Sequence, residues 1–247
     1  MEKLIRDDET LDDLQLNGIY LIQKKHSFRF GVDAVLLANF ARVKKDMKVL
    51  DLCSGTGIVP FIICGKMKPE IVYGIEIQKE MVEMANRSAI YNKLQEKIQF
   101  IEMDLKDTDK LKKIEKVDVV TVNPPYKLCN SGIINEEDSE AIARHEICCN
   151  IDDVIAAAKA VLKDNGRLYM VHRPERIADI ICAMRKYKIE PKVIRPVHPN
   201  TKKPPNIMLI EAQNYGGKFL RWEKPLYIYK DTGGYSEEID SIYGRKI

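Results

Sequence analysis

The sequence predicts an α/β domain: a mostly parallel sheet with helices on both faces. Three observations carry that prediction. Between residues 48 and 212, short β-branched and apolar runs alternate with stretches of helical periodicity. Three successive strand-like runs end in acids: Asp51 ahead of Gly55 and Gly57, then Glu76, then Asp104. A fourth run, 117–122, is halted by Asn123-Pro124-Pro125-Tyr126. In open α/β sheets ligands sit at the carboxyl ends of strands, where all these residues would gather.

The elements follow in order. Residues 14–23 alternate and break like a short hairpin. Next, 28–33 (Phe-Arg-Phe-Gly-Val-Asp) precedes an apolar helix at 34–41, with Asp33 placed to cap it. Residues 48–60 read as a strand, a glycine turn and a helix start. Gly55 and Gly57 permit positive φ and close approach by a ligand. A dinucleotide fingerprint needs a third glycine where this chain has Pro60, which argues against NAD. The strand 71–76 places Glu76 nineteen residues beyond Gly57, where a carboxylate accepts both hydroxyls of a ribose. A helix over 78–92 leads to a strand at 98–104. Beyond the elbow come a helix over 152–162 ended by Asp164-Asn165-Gly166, a strand at 167–172 and a helix over 175–187. Strands at 192–197 and 207–212, joined by the Pro-rich segment 198–205, complete the pattern.

Length and composition bound the rest. With 247 residues, 45% of them hydrophobic, one domain is expected. It divides into an N-terminal extension with hairpin and helix (1–45), a core (46–213) and a tail (214–247). No apolar run reaches the ~18 residues of a membrane span. Residues 1–18 carry six acids against Lys3 and Arg6, unlike a signal peptide, so a cytoplasmic protein is expected. The six cysteines form no C-x-x-C and have no histidines at metal spacing. They read as reduced packing residues, and no metal site is expected.

The formal net charge is only +3, but twelve Lys/Arg oppose four acids between residues 159 and 203. Such an excess is either a phosphate-binding side or a solvated face. On the first reading Arg173, Arg195, Lys202 and Lys203 are the candidate RNA contacts. In the tail, Phe219, Trp222, Tyr227, Tyr229, Tyr235 and Tyr243 alternate with basic residues, fitting either base stacking or short edge strands.

The elbow has chemistry of its own. Two prolines give no ladder donors and fix φ near −65°, so the segment is rigid. It would hold the Asn123 side-chain oxygen and the Pro124 carbonyl before the two hydrogens of a planar amine. Such an amine is a poor nucleophile, and acceptors set in advance favour the charge it develops as it attacks a methyl group. Tyr126 offers a stacking face, and no general base is required.

The series Asp51…Gly55-x-Gly57, Glu76, Asp104 and Asn123-Pro-Pro-Tyr126 resembles the class I methyltransferases that use S-adenosylmethionine, specifically the amino-methylating group. Over 28–37 and 131–146 the chain is similar to the tRNA adenine-N6 methyltransferases that modify a valine tRNA beside its anticodon, at position 37. The resemblance spans about 14–213 and implies a Rossmann-like, seven-stranded sheet. It implies that Gly55 and Gly57 approach the methionine part of the cofactor, Glu76 holds the ribose and Asp104 the adenine. The cofactor set it implies is Arg29, Asp33, Asp51, Ser54, Gly55, Gly57, Glu76, Ile77, Asp104, Leu105 and Asn123. Asn123, Pro124, Pro125 and Tyr126 would then act on the target base, splayed from the anticodon stem-loop of the tRNA partner. Similar elbows serve glutamine-N5 methyltransferases of release factors and guanine-N2 methyltransferases of rRNA, and a nucleotide-binding protein without transferase activity is a further reading.

Overall fold

The computed structural model describes residues 4–16, 18–25, 31–126 and 149–245. The N-terminal hairpin pairs β1 (Glu9–Asp13) with β2 (Tyr20–Lys24) in antiparallel register. Its first strand starts earlier than the alternation from Leu14 suggested, because three of its five residues are acids, the buried Glu9 among them, which hides the period. Then follow α1 (Val32–Phe40), β3 (Lys48–Leu52), α2 (Ile58–Met67), β4 (Ile71–Glu76), α3 (Lys79–Tyr91), β5 (Ile98–Glu102), α4 (Thr108–Leu111) and β6 (Val117–Val122). From residue 149 onward come α5 (Ile151–Val161), β7 (Leu162–His172), a 3-10 turn at Pro174–Arg176 and α6 (Ile177–Lys186). The chain closes with β8 (Ile189–His198), β9 (Ile207–Asn214), the two-residue strands β10 (Arg221–Trp222) and β11 (Leu226–Tyr227), and α7 (Glu237–Ile242).

Seven strands form the expected sheet, ordered β8-β9-β7-β6-β3-β4-β5, with only β9 antiparallel to its neighbours. The tail adds two more. β10 and β11 both pair in parallel with β8, so the sheet has nine strands rather than seven. The tail aromatics thus resolve in part into edge strands. The strand order reverses between β3 and β6, which opens a crevice at their carboxyl ends. Near-continuous apolar runs make these central strands, because both faces are covered: Val49, Leu50, Leu52, Val119, Val120 and Val122 are all buried.

Two further boundaries differ from the sequence reading. α5 begins one residue before the expected 152 and is capped by Asn150: its side chain accepts from Asp153 N, and Asp153 Oδ2 accepts from Asn150 N. That helix stops at Val161, and Leu162 already belongs to β7. Asp164-Asn165-Gly166 therefore lies in a bulged strand, where Asn165 (φ 62°) rather than Gly166 is left-handed. The first helix also begins differently. Gly31 is the N-cap residue of α1, with no side-chain cap, and Asp33 sits inside the first turn. A cap role for Asp33 is ruled out because its carboxylate is bound elsewhere.

The hairpin is docked on α3 by polar groups. The carboxylate of Glu9 takes both Arg87 guanidinium nitrogens, at 2.6 and 2.7 Å, and that bond holds its carboxyl below the usual range. Asn92 and Ser88 bond the backbone of Tyr20 and Ile22, so the open edge of β2 is satisfied. Among the described residues no helix is long and apolar enough to cross a membrane.

Candidate active site

The crevice between β3 and β6 has two walls. On the glycine-turn side, backbone conformation does most of the shaping. Cys53 (φ 56°), Gly55 (φ 54°) and Gly57 (φ 90°) alternate with residues of negative φ, so the chain turns sharply after β3. Gly55 faces open space, as an approaching ligand requires. Gly57 is different: a Cβ there would come within 2.3 Å of the Phe100 ring. Its small size makes room for Phe100 as well as for the turn. Pro60 is the third residue of α2, where a missing N–H costs nothing.

Glu76, at the end of β4, is buried and organises this wall. One carboxylate oxygen accepts from Gly55 N (2.9 Å), the other from Ile77 N and Gln78 N (both 3.0 Å). A carboxylate has about four lone-pair sites, so capacity for a ligand hydroxyl is left. Asp51 is also buried, accepts from Thr121 Oγ1 at 2.6 Å, and is pushed up to about 7 by burial, against the pull of that bond. Ser54 Oγ is buried beside Asp51, with no hydrogen bond of good geometry among the described residues. An orphaned hydroxyl, a buried acid and an open glycine turn form a polar cradle that a ligand would complete.

Asp104 lies beyond β5 with its side chain about one-third exposed (36%), and it accepts from Lys106 N at 2.8 Å. Leu105 is part of the apolar core, while Ile77 contributes its N–H to Glu76. Arg29, also expected here, lies outside the described residues, as does the segment 131–146. Cys149 beside it, together with burial, pushes the Cys53 thiol well above its ordinary range.

The other wall is the elbow. β6 ends at Val122, Pro124 is buried and Pro125 is exposed. The Tyr126 hydroxyl lies 2.8 Å from Asp33 Oδ2 and 2.8 Å from Asn123 Oδ1. Burial, with Asp33 adding to it, raises the phenol far above its usual range. Arg173 sits over the Tyr126 ring, 5.1 Å from its centroid, and His172 meets it edge-on at 5.1 Å. One face of Tyr126 is therefore already taken by a cation. His172 was missed in the sequence. It is buried, its Nδ1 accepts from Arg173 N at 2.8 Å, and burial together with Arg176 and Arg173 keeps it neutral. The available signal was its place as last residue of the strand beside β6. A cleft of about 450 Å³ opens beside Pro124, Pro125, Tyr126 and His172, reaching Arg176 in the 3-10 turn and Lys186 on α6.

The basic excess over 159–203 does not form one face. Lys163 pairs with Asp118, Arg167 with Glu211, Arg185 with Glu190 and Lys186 with Asp152. Arg195 is bound to Glu238 and to the Lys224 carbonyl, holding the tail on the sheet. Because β8 is parallel to β7, the connection 199–206 opens on the crevice side. There the exposed Lys202 and Lys203 join Arg173, whose guanidinium bonds the Asn206 carbonyl.

A family model described as a methyltransferase domain matches residues 43–224. The chain is 23% identical over 211 residues to the tRNA1(Val) (adenine(37)-N6)-methyltransferase of Pedobacter heparinus, covering 85% of this chain and 87% of that protein. It is 25% identical over 220 residues to the protein of the same name from Porphyromonas gingivalis, covering 86% of each. In fold it is similar to a predicted O-methyltransferase from Agrobacterium tumefaciens, with a TM-score of 0.70, 22% identity, and 86% and 95% of the two chains covered. It is also similar to TrmN from Thermus thermophilus, with a TM-score of 0.54, 18% identity, and 73% of this chain and 48% of that one covered.

Proposed function

The chain belongs to the methyltransferase-domain family, and on that premise we propose that it methylates the exocyclic N6 amine of an adenine in tRNA. The target is position 37, beside the anticodon of a valine tRNA, as the names of its relatives state for them. The observation that carries the reading is the juxtaposition of the elbow with the polar cradle. Asp51 and Thr121 occupy paired positions on adjacent strands, so the cradle and Asn123 open on one crevice.

The cradle suits S-adenosylmethionine, which when bound supplies an electrophilic methyl group. Glu76 is placed for the ribose hydroxyls, Ser54 Oγ and the Gly55 backbone for polar groups of the methionine portion, and Asp51 for its positive charge. Asp104 and Leu105 would border the adenine, one polar and one apolar. Asn123 Oδ1 and the Pro124 carbonyl accept from the two amine hydrogens, and this contact strengthens as the nitrogen acquires charge. The prolines prevent those acceptors from relaxing away. Tyr126 stacks the base. Arg173, Lys202 and Lys203 contact phosphates, positioning the RNA without reading its sequence. Such an enzyme works in the cytoplasm on the anticodon stem-loop.

Incubation with labelled cofactor and either total tRNA or a release factor, followed by nucleoside analysis, tests the reading. Label in N6-methyladenosine is the expected outcome. Label in a release-factor glutamine or in N2-methylguanosine would overturn it.

A further inference from the structure

We propose that Asp33 is a positioning residue: through the Tyr126 hydroxyl it fixes which way the Asn123 amide faces, and so leaves the amide oxygen free for the substrate amine. This rests on the reading of Asn123 given above and assigns Asp33 a role distinct from cofactor binding. The Tyr126 hydroxyl has two side-chain partners at 2.8 Å, one on Asp33 and one on Asn123. It carries a single proton. A carboxylate only accepts, so the proton belongs to the bond with Asp33. The second contact must then be donated to the phenol oxygen, and the Asn123 amide nitrogen is the group that does it. The two ends of an amide have the same shape, and the hydrogen-bond network decides which end lies where. A directed chain results: Asn123 Nδ2–H to Tyr126 Oη, then Tyr126 Oη–H to Asp33. It turns Asn123 Oδ1 away from Tyr126.

The surroundings support this direction. The phenol is pinned by Arg173 over its ring and His172 at its edge, so it cannot swing off Asp33. Asp33 stands in the first turn of α1, which is anchored by fully buried Leu36 and Leu37. An acid is favoured at that helix end. If Asp33 loses its carboxylate, nothing holds the Asn123 amide in that direction: it rotates, and its Oδ1 accepts the Tyr126 proton. The amide oxygen is then occupied by the enzyme itself, and the amine loses one acceptor.

The direction of this chain produces an unusual double-variant outcome. Asp33→Ala should lower single-turnover methyl transfer by about a hundredfold, the scale of one lost transition-state hydrogen bond. The dissociation constant for S-adenosylmethionine and the KM for tRNA should stay within about threefold. Asp33→Asn, which still accepts, should restore most of the rate. Adding Tyr126→Phe to Asp33→Ala removes the misdirected proton and should raise the rate above that of Asp33→Ala alone. A purely structural or cofactor-binding role predicts the opposite, a further loss or a raised cofactor dissociation constant, and either result overturns the proposal. A readout without turnover separates this from the proposed function. In the free enzyme, the side-chain amide 15N–1H signals of Asn123, assigned by their loss in Asn123→Asp, should report one bonded proton in wild type. In Asp33→Ala that proton should be released to solvent exchange. Unchanged amide signals in Asp33→Ala refute the directed chain, even if the RNA substrate proves different. Absence of tRNA methylation with the amide response intact refutes only the substrate.

Discussion

The two walls of the crevice are built by different means. On the cofactor side, Glu76 gathers three backbone N–H groups, and the turn it holds is shaped by positive-φ residues. On the elbow side, the backbone is stiffened by two prolines, and the functional groups are aligned by a single file of side-chain bonds from α1. A wall made of backbone tolerates loss of ligand contacts but fails structurally when its organising acid is removed. A wall made of side chains keeps its fold when one is cut and loses chemistry instead. The contrast predicts opposite signatures, stability and affinity on one side, turnover on the other.

The largest effect should fall on the elbow. Asn123→Ala is expected to reduce turnover by at least a hundredfold while leaving the cofactor dissociation constant within a few-fold. Pre-steady-state kinetics beside calorimetry measure both, and near-normal turnover would erase the contrast. On the opposite wall, Glu76→Ala should leave three N–H groups without their acceptor. That should cost on the order of 2 kcal/mol of stability by denaturant unfolding and raise the cofactor dissociation constant tenfold or more. Asp104→Ala, one-third exposed and tied only to its own turn, should shift affinity just a few-fold. Equal effects from the two acids would show that Glu76 does not organise the wall.

Asp51 sharpens the comparison through pH. With its folded pKa pushed up to about 7 by burial, it stays protonated in the free protein below about pH 7, while an unfolded chain ionises near 4. Stability of the free protein should therefore fall as pH rises from about 4 to about 7. A cofactor bearing positive charge prefers the carboxylate, so its affinity should fall by up to tenfold per unit as pH drops below about 7. Affinity and stability thus run in opposite directions with pH, and Asp51→Asn should flatten both curves in calorimetry and in unfolding. The smallest effect concerns the crevice rim. Replacing Lys202 and Lys203 together with Ala should weaken tRNA binding and flatten the plot of log affinity against log salt by about one to two units. An unaltered salt slope would make these lysines a solvated loop.

Much of this was legible in the chain because local rules and global fold agree. The strands β3, β4, β5 and β6 are apolar runs that must be buried on both faces, and each carries its acid or amide within two residues of its carboxyl end. Their acids and Asn123 thus fall on one edge by topology alone, since parallel strands share their carboxyl ends. The positions of Glu76 and Asn123 needed no coordinates for the same reason.

Side-chain partnership across long sequence separations is another matter, and only the tertiary structure decided it. Asp33 lies 93 residues from Tyr126. A lone acid before an apolar helix has the same local pattern whether it caps that helix or reaches another element, and here the second occurs. The basic stretch 159–203 fails by the same logic. Adjacent charges are dispersed because a strand and a helix carry them to both ends of the sheet, where Asp118, Glu211, Glu190 and Asp152 neutralise four of them. Periodicity and composition encode which surface each segment buries. Which distant group meets a given carboxylate depends on how those surfaces are stacked, so the fold and its crevice belong to the sequence pattern, while the bonds that orient the Asn123 amide belong to the packing of α1 against the elbow.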